Sequence, residues 1–234
     1  MWFADSFSPS SSGPTIPIES DIEGAYAAFR AQEPVLIHDF DDREGETDLV
    51  YPAAGVTAQN VARMRNDAGG LICVALSDEV ATAFDLPFLS EELSHPSSET
   101  ADLEYDERSS FSITVNHRET FTGVTDVDRA LTISELGVAA DEPETTDFGA
   151  TFRSPGHVSL LRGAPNLLRQ RRGHTELGLA LASSVGCAPA VVVCEMLDDD
   201  TGRALSKEGA LRYARIHDIP FVTGADLLEA VGSE

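Results

Sequence analysis

Short apolar runs set between segments of helical period constrain this chain more than any other feature. Val35-Leu-Ile-His38, Leu49-Val-Tyr51, Leu71-Ile-Cys-Val-Ala-Leu76 and Ala190-Val-Val-Val-Cys-Glu195 are unbroken rather than alternating, so each reads as a buried strand that needs cover from helices. The segments between them supply that cover. Ile22, Tyr26, Ala27 and Phe29 form a helical stripe behind a cap at Glu19-Ser-Asp-Ile-Glu23, and Thr57 caps a helix that stops at Gly69-Gly70. Residues 126–136, 175–185, 207–216 and 224–231 read as further helices, the last two on either side of Pro220-Phe-Val222. Ser110 to Asn116 alternates as a strand, another strand lies near Val158-Ser-Leu-Leu161, and Asp198 to Gly202 is a turn. Residues 78–109, rich in Ser, Pro and acids, read as an excursion containing a loop, and 141–147 as an exposed connection. Strands interspersed with helices predict an α/β (α+β) fold, a single domain with a mixed sheet sandwiched between helical layers. The Ser/Pro/Gly-rich residues 1–17 are expected to be a flexible leader, and 18–234 a single catalytic domain.

Charge narrows the function. The 234 residues carry 40 acids and 16 bases, a formal charge of −24, which excludes a general binder of nucleic acid or of anionic membranes. With 42% hydrophobic residues, eleven of them Phe, the chain can bury a large core. Lys207 is the one lysine among those bases. That arginine bias, with a pI near 4.4, is expected of a halophilic cytoplasmic protein kept soluble in concentrated salt, where a Debye length of about 3 Å near 1 M suppresses repulsion among carboxylates. Cys73, Cys187 and Cys194 are odd in number and form no CxxC pair, so a reducing cytoplasm fits better than a disulfide framework. The longest apolar stretch, residues 188–194, is far short of the roughly 20 residues that span a bilayer.

Two segments carry chemistry. In Asp39-Phe-Asp-Asp-Arg-Glu-Gly-Glu-Thr-Asp48, six carboxylates surround one arginine directly after a buried strand. This is either a solvated acidic loop or a strand-end site that binds Mg²⁺ and moves protons. A calcium EF-hand fails on spacing, because Glu44 stands where the loop needs glycine. From Phe148 through Thr175 there are no acids at all, while Arg153, Arg162, Arg169, Arg171 and Arg172 gather there with His157 and His174. A local excess of positive charge in so acidic a protein points to a small anionic ligand. Arg171 next to the start of the predicted helix makes a phosphate site, with Thr175 as either a hydroxyl donor or merely the cap. His174 is either a metal ligand or a packed helix-start residue. Pro155-Gly-His157 reads as a turn delivering a histidine, Cys73 as core, and Glu195 as either an acid–base group at a strand end or a solvated one.

These segments resemble the 3,4-dihydroxy-2-butanone 4-phosphate synthases of riboflavin biosynthesis. The resemblance rests on Asp42-Arg-Glu-Gly-Glu-Thr-Asp-Leu49, Gly70-Leu-Ile-Cys-Val74, Thr122-Gly-Val-Thr125 with Asp128-Arg129, Pro155-Gly-His157, and Arg171-Arg-Gly-His-Thr-Glu176 followed by Val193-Cys-Glu195. It implies a carbon–carbon lyase that converts D-ribulose 5-phosphate to formate and L-3,4-dihydroxy-2-butanone 4-phosphate, using Mg²⁺ (or Mn²⁺) and no organic cofactor, as a homodimer with sites near the interface. It implies Glu44 and His174 as metal ligands. Arg43, Glu44, Asp48, Thr122, Arg171, Arg172, Gly173, His174, Thr175 and Glu195 would bind substrate. His157 and Glu195 match positions essential in the family, and the resemblance implies Glu46 and Asp39 as proton-transfer partners. Many members read Arg-Glu-Asn-Glu-Gly-Asp where this chain has Arg43-Glu-Gly-Glu-Thr-Asp48. The rivals are another metal-assisted sugar-phosphate isomerase or aldolase, and a phosphate-sensing module that needs no metal.

Overall fold

The computed structural model describes residues 20–40, 42–98 and 108–232. The leader expected over 1–17 and the last part of the excursion lie outside the described residues. In chain order the elements are α1 (Ile22–Arg30), β1 (Val35–His38), β2 (Thr47–Pro52), α2 (Ala58–Arg63), β3 (Cys73–Leu76), α3 (Asp78–Ala83), α4 (Leu89–Glu92), β4 (Phe111–His117), α5 (Asp126–Asp141), α6 (Phe148–Thr151), β5 (Phe152–Arg162), α7 (His174–Ser184), β6 (Ala190–Glu195), β7 (Leu197–Asp198), β8 (Arg203–Ala204), α8 (Lys207–His217), β9 (Phe221–Thr223) and α9 (Gly224–Gly232). Seven strands form one mixed sheet in the order β4-β5-β3-β6-β2-β1-β9, and β7 and β8 form a small hairpin.

Alternation along the strands divides the core in two. Leu36, Leu49, Tyr51, Val74, Leu76, Val192 and Cys194 pack with α2, α3, α5 and α8. Val35, Ile37, Val50, Cys73, Ala75, Val191 and Val193 pack with α1, α7 and α9 on the other face. The apolar runs are unbroken because both faces are covered, and the single mixed sheet between helical layers is the one expected.

Several elements differ from the sequence reading. The excursion contains α3, capped by Ser77, and the one-turn α4; both are too short for a period to show. The helix that Thr57 caps continues as a π-helical turn over Met64–Ala68 before Gly69, at φ +87°, ends it. Helix α5 runs five residues past 136, through small residues that carry little periodic contrast. Pro155-Gly156 is not a turn but the middle of the eleven-residue β5. A Cβ on Gly156 would fall 1.9 Å from the Val115 carbonyl carbon, so the glycine marks close strand approach rather than a reversal. Pro220-Phe-Val222 includes a short strand, β9, parallel to β1. Among the described residues no helix is long and apolar enough to cross a membrane.

Candidate active site

One end of the sheet collects polar side chains under the start of α7. β2 pairs antiparallel with β6 so that Asp48 lies opposite Glu195, and the alternation that sends Val50 and Val193 toward α7 sends these two carboxylates the same way. The strand begins two residues earlier than its apolar run, at Thr47, because ladder bonds carry Thr47 and Asp48 into the sheet. Between β1 and β2 the chain makes a tight acidic loop. Asp39 closes it, accepting from the Gly45 N–H at 2.8 Å and from Arg43 at 3.1 Å, with Gly45 at φ +66°. Helix α7 begins at His174 with Gly173 as its cap. It is not amphipathic as its period suggested: residues 174–182 are all buried, since the helix lies against the sheet centre, where Gly178 meets Val191 and Val50.

His174 is the hub. Its Nδ1 lies 3.5 Å from Glu44 Oε2, and its Nε2 lies 3.7 Å from Asp48 Oδ1 and 3.3 Å from the Glu46 carbonyl. Ligand atoms of Asp39, Glu44 and His174 fall within 4.8 Å of one another. The Asp48 Oδ1 atom is buried and accepts no hydrogen bond, an arrangement that asks for a cation or a substrate hydroxyl. Burial opposes protonation of His174, but Asp48, Glu44 and Asp39 outweigh it and raise its pKa to about 9. Burial drives Asp48 up to about 7 against the pull of His174, helped by Glu195, Glu44 and Glu46. Burial also raises Glu46, with Glu44 adding to the effect. Glu44 goes the other way: burial would raise it, but His174, Arg43 and Arg171 hold it low and ionised.

Arg43, Glu44, Asp48, Arg171, His174, Thr175 and Glu195 line one cavity of about 200 Å³, joined by Cys73 and Ser110. Beyond Arg43 and Arg171 a larger chamber of about 580 Å³ adds Arg108, Arg162, Arg172 and Phe88. The acid-free segment and the acidic loop therefore face each other across one space, arginines at one end and carboxylates at the other. Asp39 sits behind Arg43 with its side chain fully buried. The structure does not bring Thr122 and His157 to this cavity. They lie near the β4 edge, where Asp128 accepts from the Thr122 and Gly123 N–H groups at 3.1 and 2.9 Å and Asn116 accepts from the His157 N–H at 2.8 Å.

Sequence reasoning passed over Glu176. Its carboxylate is fully buried, 2.6 Å from Arg171, and accepts from the Ala164 and Gly173 N–H groups at 3.0 and 3.3 Å. It fixes the arginine and the entry to α7 together. The signal was present in Gly173-His-Thr-Glu176, a carboxylate at the third helical position reaching back to the cap.

Comparison with known proteins bears on what this cavity does. The family profile described as 3,4-dihydroxy-2-butanone 4-phosphate synthase matches residues 23–230. A 3,4-dihydroxy-2-butanone 4-phosphate synthase of Archaeoglobus fulgidus is 52% identical over 221 residues, covering 89% of this chain and 93% of that one. One from Methanothermobacter thermautotrophicus is 46% identical over 217 residues, covering 89% and 95%. Among solved structures, a 3,4-dihydroxy-2-butanone 4-phosphate synthase in complex with two magnesium ions superimposes with a TM-score of 0.77 at 31% identity, covering 91% of this chain and 96% of that one.

Proposed function

The chain belongs to the 3,4-dihydroxy-2-butanone 4-phosphate synthase family, and on that premise we propose how its cavity converts D-ribulose 5-phosphate to formate and L-3,4-dihydroxy-2-butanone 4-phosphate in riboflavin biosynthesis. The observation that carries the proposal is the single cavity in which Arg43, Arg171 and Thr175 face Glu44, Asp48, His174 and Glu195. Net reaction removes a one-carbon unit, so the enzyme acts as a carbon–carbon lyase.

The arginine end takes the phosphate. Arg171 is held by Glu176, and it stands beside the start of α7, where Gly173, His174 and Thr175 offer a positive dipole end and a hydroxyl. Arg43 and Arg172 extend the positive wall. The carboxylate end suits Mg²⁺ or Mn²⁺, hard cations that favour oxygen ligands and tolerate one imidazole. Both Asp39 oxygens are already engaged, by Gly45 and Arg43, and Glu44 Oε2, although 3.0 Å from Arg43, is the carboxylate oxygen that faces His174 Nδ1. Glu44 and His174 are therefore the pair that would hold the ion, with the unsatisfied Asp48 Oδ1 facing it or a substrate hydroxyl. Bound there, the ion would supply Lewis acidity to substrate oxygens. No organic cofactor is needed.

The side chains do the proton work. The reaction requires a proton removed next to a ketone, and later protons returned as the skeleton rearranges. Asp48, with a pKa near 7, can hold or release a proton at neutral pH. Glu195 is its neighbour across the β2–β6 pair, and Glu46, raised by burial, is a third exchanger. Asp39 acts through Arg43, which it orients.

His157 and Thr122 complete the set from a second copy of the chain. Phe121, Val127 and Val124 beside them are 92%, 69% and 53% exposed, an apolar patch on the edge-strand side that suits a homodimer with its sites at the interface. The same reading makes the protein a salt-adapted cytoplasmic enzyme. Release of formate from ribulose 5-phosphate, dependent on Mg²⁺, tests the whole proposal; a sugar-phosphate isomerase or aldolase using the same parts yields none.

A further inference from the structure

The structure assigns to Gly70 the role of a positioning residue: it lets two consecutive backbone N–H groups clasp Glu195. Gly69-Gly70 read in sequence as a helix stop, and Gly69 alone accounts for that, closing the π-helical turn at φ +87°. Gly70 does something else. Its N–H donates to the Glu195 carbonyl at 3.0 Å, and the next N–H, of Leu71, donates to Glu195 Oε2 at 2.8 Å. A Cβ on Gly70 would lie 2.4 Å from that same Oε2, 2.6 Å from the Glu195 carbonyl oxygen and 2.8 Å from the Glu195 Cβ. A side chain at position 70 and the clasped carboxylate cannot occupy the same place, so glycine is required by contact and not by backbone conformation.

The clasp anchors one oxygen of the carboxylate. Glu195 is the last residue of β6, and its side chain, only partly buried, would be free to swing toward solvent without a tether. With Oε2 tied to Leu71, Oε1 is the oxygen left for the cavity that Glu195 shares with Asp48 and His174. A displacement of about 1 Å in such a group costs about a hundredfold in rate.

This inference rests on Glu195 being a reacting group, and the test separates the two. In Gly70→Ala, kcat is expected to fall about 10–100-fold with KM for ribulose 5-phosphate changed less than about threefold, since the phosphate end is untouched. Gly69→Asn, which keeps the left-handed backbone and meets only Leu197 at 3.8 Å, is expected to keep wild-type kcat. In a Glu195→Gln background, Gly70→Ala is expected to add nothing; a full further loss there would show that Gly70 acts through the fold and overturn the role. If Glu195→Gln is dead while Gly70→Ala is fully active, the positioning role fails and the reading of Glu195 stands. If Glu195→Gln is fully active, the reading of Glu195 itself fails. Should Gly70→Ala not fold, hydrogen exchange at the Leu71 amide decides: Glu195→Ala is expected to speed it at least about tenfold, and unchanged protection would overturn the clasp.

Discussion

His174 lies among Asp39, Glu44 and Asp48, so in the metal-free protein it keeps its proton up to about pH 9. Metal and proton compete for it. Affinity for Mg²⁺ is therefore expected to rise with pH, up to tenfold per unit, and to level off above pH 9. Calorimetry at pH 7.5 in two buffers of different ionisation enthalpy should show a proton released on binding; no release would remove His174 from the ligand set. Stability follows the same linkage. A histidine whose pKa is raised by folding contributes stability in full below about 6.5, its unfolded value, and loses it as pH rises through about 9. The melting temperature of EDTA-treated protein is expected to fall across that window and that of the Mg²⁺-saturated protein to hold. At this scale the sequence was partly legible. Carboxylates crowding around Arg43 straight after a strand, and a histidine at a helix start, could be read from spacing. The clasp on Glu195 could not, because Leu71 and Glu195 are separated by 124 positions and only the β3–β6 pairing brings them together.

Helix α7 is the element on which the phosphate end depends, and its entry is fastened by Glu176. Replacing that carboxylate by an amide removes one charge of a buried pair while keeping its shape. Glu176→Gln is expected to raise KM for ribulose 5-phosphate at least about tenfold, with a smaller fall in kcat, and to cost about 1–3 kcal/mol of stability. Equal losses in kcat and kcat/KM would place Arg171 at the reacting carbon instead. Elements whose signal is a run or a cap were readable: β1, β6, and the helix that begins after Thr57. Elements whose limits are set by a neighbour were not. β5 extends back to Phe152 because β4 pairs with it as far as His117, and α7 is buried on every side through Ala182 because the sheet and α1 and α9 enclose it. Neither partner is local in sequence.

The whole molecule carries a charge of −24, while Arg43, Arg108, Arg162, Arg171 and Arg172 gather at one cavity. Mutual repulsion among the carboxylates is strongest in dilute buffer, and salt near 1 M shortens its reach to about 3 Å. The melting temperature is expected to rise by more than about 10 °C between 0.05 and 2 M KCl, as followed by circular dichroism; an unchanged value would contradict salt adaptation. Assembly is expected to depend on the apolar patch around Phe121. Phe121→Asp should sediment as a monomer and lose activity, because His157 and Thr122 then reach no cavity; a monomeric wild-type protein of full activity would refute that arrangement. Fold class was legible at this scale from buried runs alternating with helices. The separation of His157 and Thr122 from Glu44 and His174 was not, since motifs in a line carry no information on their distance in the fold.

The most direct test of the central claim is formate release from D-ribulose 5-phosphate in molar KCl with Mg²⁺, with EDTA treatment and His174→Ala as controls. Stoichiometric formate, abolished by EDTA and reduced at least about a hundredfold in His174→Ala, is the result expected. Folded, Mg²⁺-loaded protein that consumes the sugar phosphate without formate, or that releases formate undiminished after EDTA, would contradict it.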